Sequence, residues 1–115
     1  MADCLFCKIA AGEIPVTPVK RSNDLLAFRD INPQAPTHVL VIPMRHYTAV
    51  RDAGDADGER MLGRLMVFTA ELAAELGLDA GGYRIVTNTG ADAGQSVGHL
   101  HLHLLGGRKM AWPPG

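Results

Sequence analysis

Hydrophobic and polar positions along the chain change rhythm from segment to segment, and each rhythm predicts an element. Near the N-terminus Leu5, Phe6, Ile9 and Ala10 form one stripe of a short helix over Cys4–Ala10, with Asp3 as its N-cap and Gly12 as its stop. Ile14-Pro15 opens an extended region, because a residue before proline is driven out of the helical basin. Val19–Arg21 and Leu25–Arg29 read as two strands joined across Ser22-Asn23-Asp24, a triplet of turn formers. After the proline-punctuated loop Asp30–Pro36, the run His38–Pro43 is apolar without alternation, which predicts a strand buried on both faces. Asp52–Gly58 is small and acidic and reads as a loop. From Glu59 to Leu76, the positions Leu62, Leu65, Met66, Thr69, Leu72, Ala73 and Leu76 recur at helical spacing, and Gly77 is placed to end that helix. Tyr83–Asn88 is a further strand. Gly98–Leu105 then alternates strictly, with His99, His101 and His103 on one face and Leu100, Leu102 and Leu104 on the other. The tail Gly106–Gly115 holds too many glycines and prolines to be regular throughout. The sum is an antiparallel α+β domain of about five strands with one long and one short helix.

Composition narrows the classes of function. At 115 residues the chain suits a single domain, 1–115, with a core that does not depend on disulfides. Apolar residues make up 47% and charged residues 20%, the balance of an ordinary globular protein. A formal net charge of −1 supplies no general attraction to a nucleic-acid backbone, so no nucleic-acid partner is expected. No apolar run approaches the length of about 18 residues that a membrane span needs. Met1-Ala2-Asp3 lacks the basic-then-apolar pattern of a secretory signal, so a cytoplasmic location is expected. There the two cysteines are reduced or metal-bound rather than bridged.

The candidate chemistry begins at the histidine row. Three of the five histidines share one strand face, about 6.5–7 Å apart at Cα by the rise of a strand. Imidazole is a nucleophile, a general base or a metal ligand near neutral pH, and two histidines at i, i+2 also suit zinc. Solvent-facing histidines on an exposed sheet are the bland alternative. Upstream, Asn88, Thr89, Gly94, Gln95 and Ser96 supply donors on a glycine-rich loop whose backbone N–H groups can cradle an anion. Beside three histidines, such a loop points to phosphorus chemistry. Cys4-x-x-Cys7 supplies half of a tetrahedral zinc site; a redox pair and two unconnected buried thiols are the other readings.

Gly94-Gln95-Ser96-Val97 stands before His99-x-His101-x-His103, followed by Leu105-Gly106-Gly107-Arg108 and Trp112-Pro113-Pro114-Gly115. Upstream stand Ile14-Pro15, Phe28-x-Asp30-Ile31-x-Pro33-Gln34-Ala35-Pro36-Thr37-His38 and Val41-Ile42-Pro43. With these pieces together the chain resembles the histidine triad (HIT) family, in its branch of small nucleotide-binding proteins that hydrolyse purine nucleoside phosphoramidates. The resemblance covers essentially the whole chain.

That resemblance implies roles for individual residues. His101 matches the nucleophile, which forms a nucleotidyl-histidine that water cleaves. His103, Asn88, Gly94 and Ser96, with Gln95 beside them, match the phosphate site. His38 matches a histidine thought to assist proton transfer to the leaving amine. Asp30 matches the carboxylate that holds the ribose hydroxyls, while Phe6, Ile9, Phe28, Ile31 and Leu40 match the purine pocket. Some relatives with this CxxC carry zinc, completed at positions matching His46 and His99; four protein ligands leave no open position, so the metal would stabilise and align rather than activate water. The resemblance also implies a homodimer through the Glu59–Leu76 helix, with Trp112 reaching the partner's site. A dinucleoside polyphosphate hydrolase, or a nucleotide-binding interaction protein with incidental hydrolysis, is the alternative function.

Overall fold

A computed structural model describes residues 3–115 of the protein. Its elements are α1 (Leu5–Ala10), β1 (Pro18–Arg21), β2 (Leu25–Arg29), β3 (Thr37–Pro43), a 3-10 turn (Val50–Asp52), α2 (Ala56–Glu75), β4 (Tyr83–Val86) and β5 (Leu102–Gly106). The five strands form one antiparallel sheet in the order β1-β2-β3-β5-β4. This is the expected α+β architecture, with one long and one short helix. Among the described residues, no helix is long and apolar enough to cross a membrane.

β3 lies at the centre of the sheet, and its register decides where the chemistry emerges. Leu26 pairs with Ile42, Phe28 with Leu40, Leu40 with His103, and Val41 with Leu102. Residues directly opposite across a ladder share a face, so Leu26, Phe28, Leu40, Ile42 and His103 look one way. Leu25, Ala27, Val39, Val41, Leu102 and Leu104 look the other way, onto Leu65, Phe68, Leu72 and Ala73 of α2. The first face is covered by Phe6 and Ile9 of α1. Covered from both sides, β3 is buried from His38 to Pro43, as its unbroken apolar run predicts. The histidines therefore emerge beneath the short helix.

Several boundaries differ from the sequence expectation, each for a local reason. The N-cap of α1 is Cys4 rather than Asp3: its Sγ accepts from the Cys7 N–H at 3.3 Å, so a thiol does what a carboxylate was expected to do. α2 begins at Ala56, inside the stretch read as a loop, because Asp55 caps it by accepting from the Gly58 N–H at 2.7 Å. Gly58 belongs to that first turn, packed so closely on Ala53 that a Cβ would lie 2.3 Å from the Ala53 carbonyl oxygen. Met66 is 47% exposed and Phe68 takes its expected place in the buried stripe. β4 ends at Val86, not Asn88. The last difference matters most. The histidine row keeps its alternation, with Leu100, Leu102 and Leu104 in the core, but the β5 ladder begins only at Leu102. His99–His101 lies off the sheet, held by other means: Leu100 N–H donates to the Tyr47 carbonyl at 2.6 Å, and Thr87 Oγ1 donates to the His101 carbonyl at 2.9 Å.

Candidate active site and metal centre

Capping and burial first assemble a cluster at the start of α1. Cys4 and Cys7 lie one helical turn apart; His46 follows β3, and His99 precedes the β5 ladder. His99 Nδ1 stands 3.4 Å from Cys4 Sγ, 3.5 Å from Cys7 Sγ and 3.2 Å from His46 Nδ1. His46 Nδ1 stands 3.3 Å from Cys7 Sγ. A tetrahedron with Zn–N near 2.0 Å and Zn–S near 2.3 Å has edges of about 3.3–3.8 Å, so the spacing fits. The proton positions fit as well. His99 Nε2 is 2.9 Å from the Pro43 carbonyl, which can only accept, so the proton sits there and the Nδ1 lone pair points into the cluster. Burial holds fully buried His99 in its neutral form. Desolvation and neighbouring Cys4 push the Cys7 thiol up, the strain that a cation would relieve. Two sulfurs and two imidazole nitrogens in this arrangement form a structural zinc site with no vacant ligand position.

The second group of rings lies one step further along the chain. His101 is 5% exposed, wedged against Phe6 with ring centroids 5.1 Å apart at 88°, and against His103 at 5.0 Å. Its Nδ1 is 2.7 Å from the His99 carbonyl oxygen. A carbonyl accepts only, so Nδ1 carries the proton and Nε2 presents a lone pair. That is the state an imidazole nucleophile requires. His103 Nδ1 meets His38 Nε2 at 2.8 Å, and Asp30 Oδ2 lies 3.4 Å from the same His38 nitrogen. Burial, with the neighbouring His101 and His38 rings, pulls His103 down to about 4, so it is neutral at physiological pH.

Beside these rings a cavity of about 260 Å³ is lined by Phe6, Ile9, Phe28, Asp30, Ile31 and Leu40, among others. Every residue matched to the purine and ribose pocket is thus gathered at one place. Phe6 connects the cavity to the chemistry, edge-on to Phe28 at 5.7 Å and to His101. Ile31 stands fully exposed at its edge.

The glycine-rich loop is more occupied than its sequence implies. Gly94 N–H donates to the Ala91 carbonyl and Gln95 N–H to the Gly90 carbonyl. The Gln95 amide accepts from Gly90 N–H at 2.9 Å and donates to the carbonyls of Thr48 and Val97. Gln95 is therefore the staple of this loop, and of its residues Ser96 borders the open groove next to Cys4, His46 and Gly98. Trp112 lies apart from the site, 81% exposed and 5.9 Å from the Arg84 guanidinium on β4.

The HIT domain family model matches residues 11–110 of the chain. The chain belongs to the HIT family. It is 49% identical over 117 residues to a 14 kDa zinc-binding protein of Zea mays, covering 96% of this chain and 87% of that one. A crystal structure of a HIT family hydrolase from Legionella pneumophila superimposes with a TM-score of 0.94 at 51% identity, covering 98% of this chain and all of that one. A histidine triad protein from Clostridium difficile gives 0.91 at 43% identity, covering 96% of each chain. The chain has the fold of HIT family hydrolases.

Within this HIT site, sequence reasoning missed the groups that orient the histidines. Gln34 N–H donates to His38 Nδ1 at 3.0 Å, and the Gln34 carbonyl accepts from Arg108 Nε at 3.0 Å. Pro43 and His99 contribute carbonyl oxygens, and Thr87 a hydroxyl. One signal was available: prolines 33 and 36 bracket Gln34, and proline has no N–H to give.

Proposed function

We propose that this HIT protein is a purine nucleoside phosphoramidase, which hydrolyses the P–N bond of a nucleoside 5′-phosphoramidate through a nucleotidyl intermediate on His101. One observation carries the reading: His101 is buried beside an apolar cavity with Asp30 at its rim, and its Nδ1 proton is committed to the His99 carbonyl. Its Nε2 is the lone pair offered to phosphorus. The cavity suits a purine, and Asp30 suits the ribose hydroxyls. His103 and Ser96 bind the phosphoryl oxygens, with Asn88 and the Gly94-Gln95 turn shaping that side of the site. Preorganised donors of this kind stabilise charge that develops on those oxygens.

Cys4, Cys7, His46 and His99 hold zinc, which supplies structural stability and no reacting ligand position. The name of the maize relative, 49% identical, supports this assignment. The protein acts as a homodimer: α2 leaves Met66 and Val67 exposed, at 47% and 61%, and Trp112, 81% exposed, is free to reach the partner's site.

The test is steady-state hydrolysis of adenosine 5′-phosphoramidate by the parent and by His101→Ala. Loss of about a thousandfold or more in kcat is expected, with AMP binding retained. Undiminished turnover in the variant rules the nucleophile out.

A further inference from the structure

We infer that His38 is a positioning residue: it fixes the proton of His103 on Nε2 and transfers no proton itself. The inference rests on the reading above for what His103 faces, namely the phosphoryl group.

A main-chain N–H sets the tautomer of His38. Gln34 N–H points at His38 Nδ1 from 3.0 Å, and a backbone amide can only donate. His38 Nδ1 therefore carries its lone pair, and the single proton of the neutral ring lies on Nε2. That nitrogen is 2.8 Å from His103 Nδ1, which must then accept. The proton of His103 is left on its own Nε2, the far edge of the ring from His38. Gln34 in turn has little freedom to move. Its carbonyl is held by Arg108, its side-chain amide donates to the Asn32 carbonyl, and Pro33 precedes it. Two residues on, Pro36 packs against Gly107, where φ is +89° and a Cβ would lie 2.9 Å from the proline ring.

A proton shuttle through His38 needs one of two events. Either His38 takes a second proton on Nδ1, where the Gln34 N–H already points, or it surrenders its only proton and becomes an imidazolate. The Gln34 N–H closes the first route, and the second would leave a buried imidazolate 3.4 Å from the Asp30 carboxylate. The neutral state of His103 agrees with a ring that accepts one hydrogen bond and donates the other.

The proton balance then closes without His38. The His101 Nε2 lone pair bonds to phosphorus as the P–N bond breaks with its electron pair on the amine, and the amine takes its proton from water. The hydroxide so formed, or a water equivalent to it, cleaves the phosphorus–His101 bond. One water is consumed overall, and His38, His101 and His103 end with the protons they began with.

The experiment is nitrogen-15 NMR of the histidine rings in the zinc-loaded full chain, beside the kinetics of two variants. In the parent, both His38 and His103 should show a protonated Nε2 and a bare Nδ1. His38→Ala should give mixed tautomers at His103 and lower kcat about tenfold, the scale of one lost buried hydrogen bond. His38→Gln, whose side-chain amide can donate to His103 but cannot relay a proton, should recover most of that loss. A parent His38 protonated on Nδ1 overturns the inference, and so does a folded His38→Gln no more active than His38→Ala. The ring tautomers are read without substrate, so they stand or fall separately from the phosphoramidase reading, which His101→Ala decides.

Discussion

Cys4, Cys7, His46 and His99 draw their ligand atoms together as closely as Asp30, His38 and His103 do, with all such atoms within 4.8 Å in each set. What differs is the group behind each ring. His99 has a carbonyl behind it, so its proton faces outward and its lone pair faces the cluster. His38 has an N–H behind it, so its lone pair faces outward and its proton faces the cluster. The first arrangement receives a cation. The second already contains one proton between two rings and has no inward lone pair on His38 to offer a metal. Proximity of histidines is thus a poor guide to metal binding until the outer hydrogen bond is known.

The contrast has consequences of graded size. Largest is loss of the metal. Cys4→Ser, or chelation of the parent, should remove zinc and lower the melting temperature by on the order of 10 °C, read by calorimetry and metal analysis together. An unchanged melting temperature in demonstrably metal-free protein would deny the cluster its structural role. Next is stoichiometry. Titration with cobalt(II) should give one tight equivalent per chain, with sulfur-to-metal absorption, and Asp30→Asn should leave that equivalent in place. A second tight equivalent, abolished by Asp30→Asn, would make the two clusters alike after all.

Smallest is a pH effect from His103. Its ordinary value is 6.5 and its folded value about 4, so between them the unfolded chain binds more protons than the native one. The stability it contributes is complete above 6.5 and is lost as pH falls toward 4. Denaturant unfolding of the parent and of His103→Gln should therefore converge in that window. Parallel curves would mean that His103 is not held neutral.

Much of this was legible in the residues, for identifiable reasons. The unbroken run His38–Pro43 announced a strand covered on both faces, and the alternation of His99–Leu104 placed leucines inward whether or not the ladder extended that far. Patterning reports burial, and burial survived. It does not report hydrogen-bond partners, which is why the ladder was expected to start at Gly98 although it starts at Leu102. For the α1 cap a carboxylate is the better general candidate, whereas here a sulfur with a second task occupies the position. The Gln95 amide turned inward as a staple, since a sequence shows that a donor exists but not where it points. Hardest to foresee were Gln34, Pro43 and His99 as orienting partners, because every residue has a main chain.

Orientation by main-chain groups bears on how such a protein tolerates drift. In enzymes where a carboxylate side chain orients the catalytic imidazole, one nucleotide change can delete the orienting group. Here the atoms behind His38, His99 and His101 are a backbone N–H and two backbone carbonyls. No change of side chain at Gln34, short of proline, removes its N–H, and none at position 43 removes the carbonyl. The instructions for where each proton sits are written in the path of the chain, so neighbouring residues are free to diverge while the histidines keep their states.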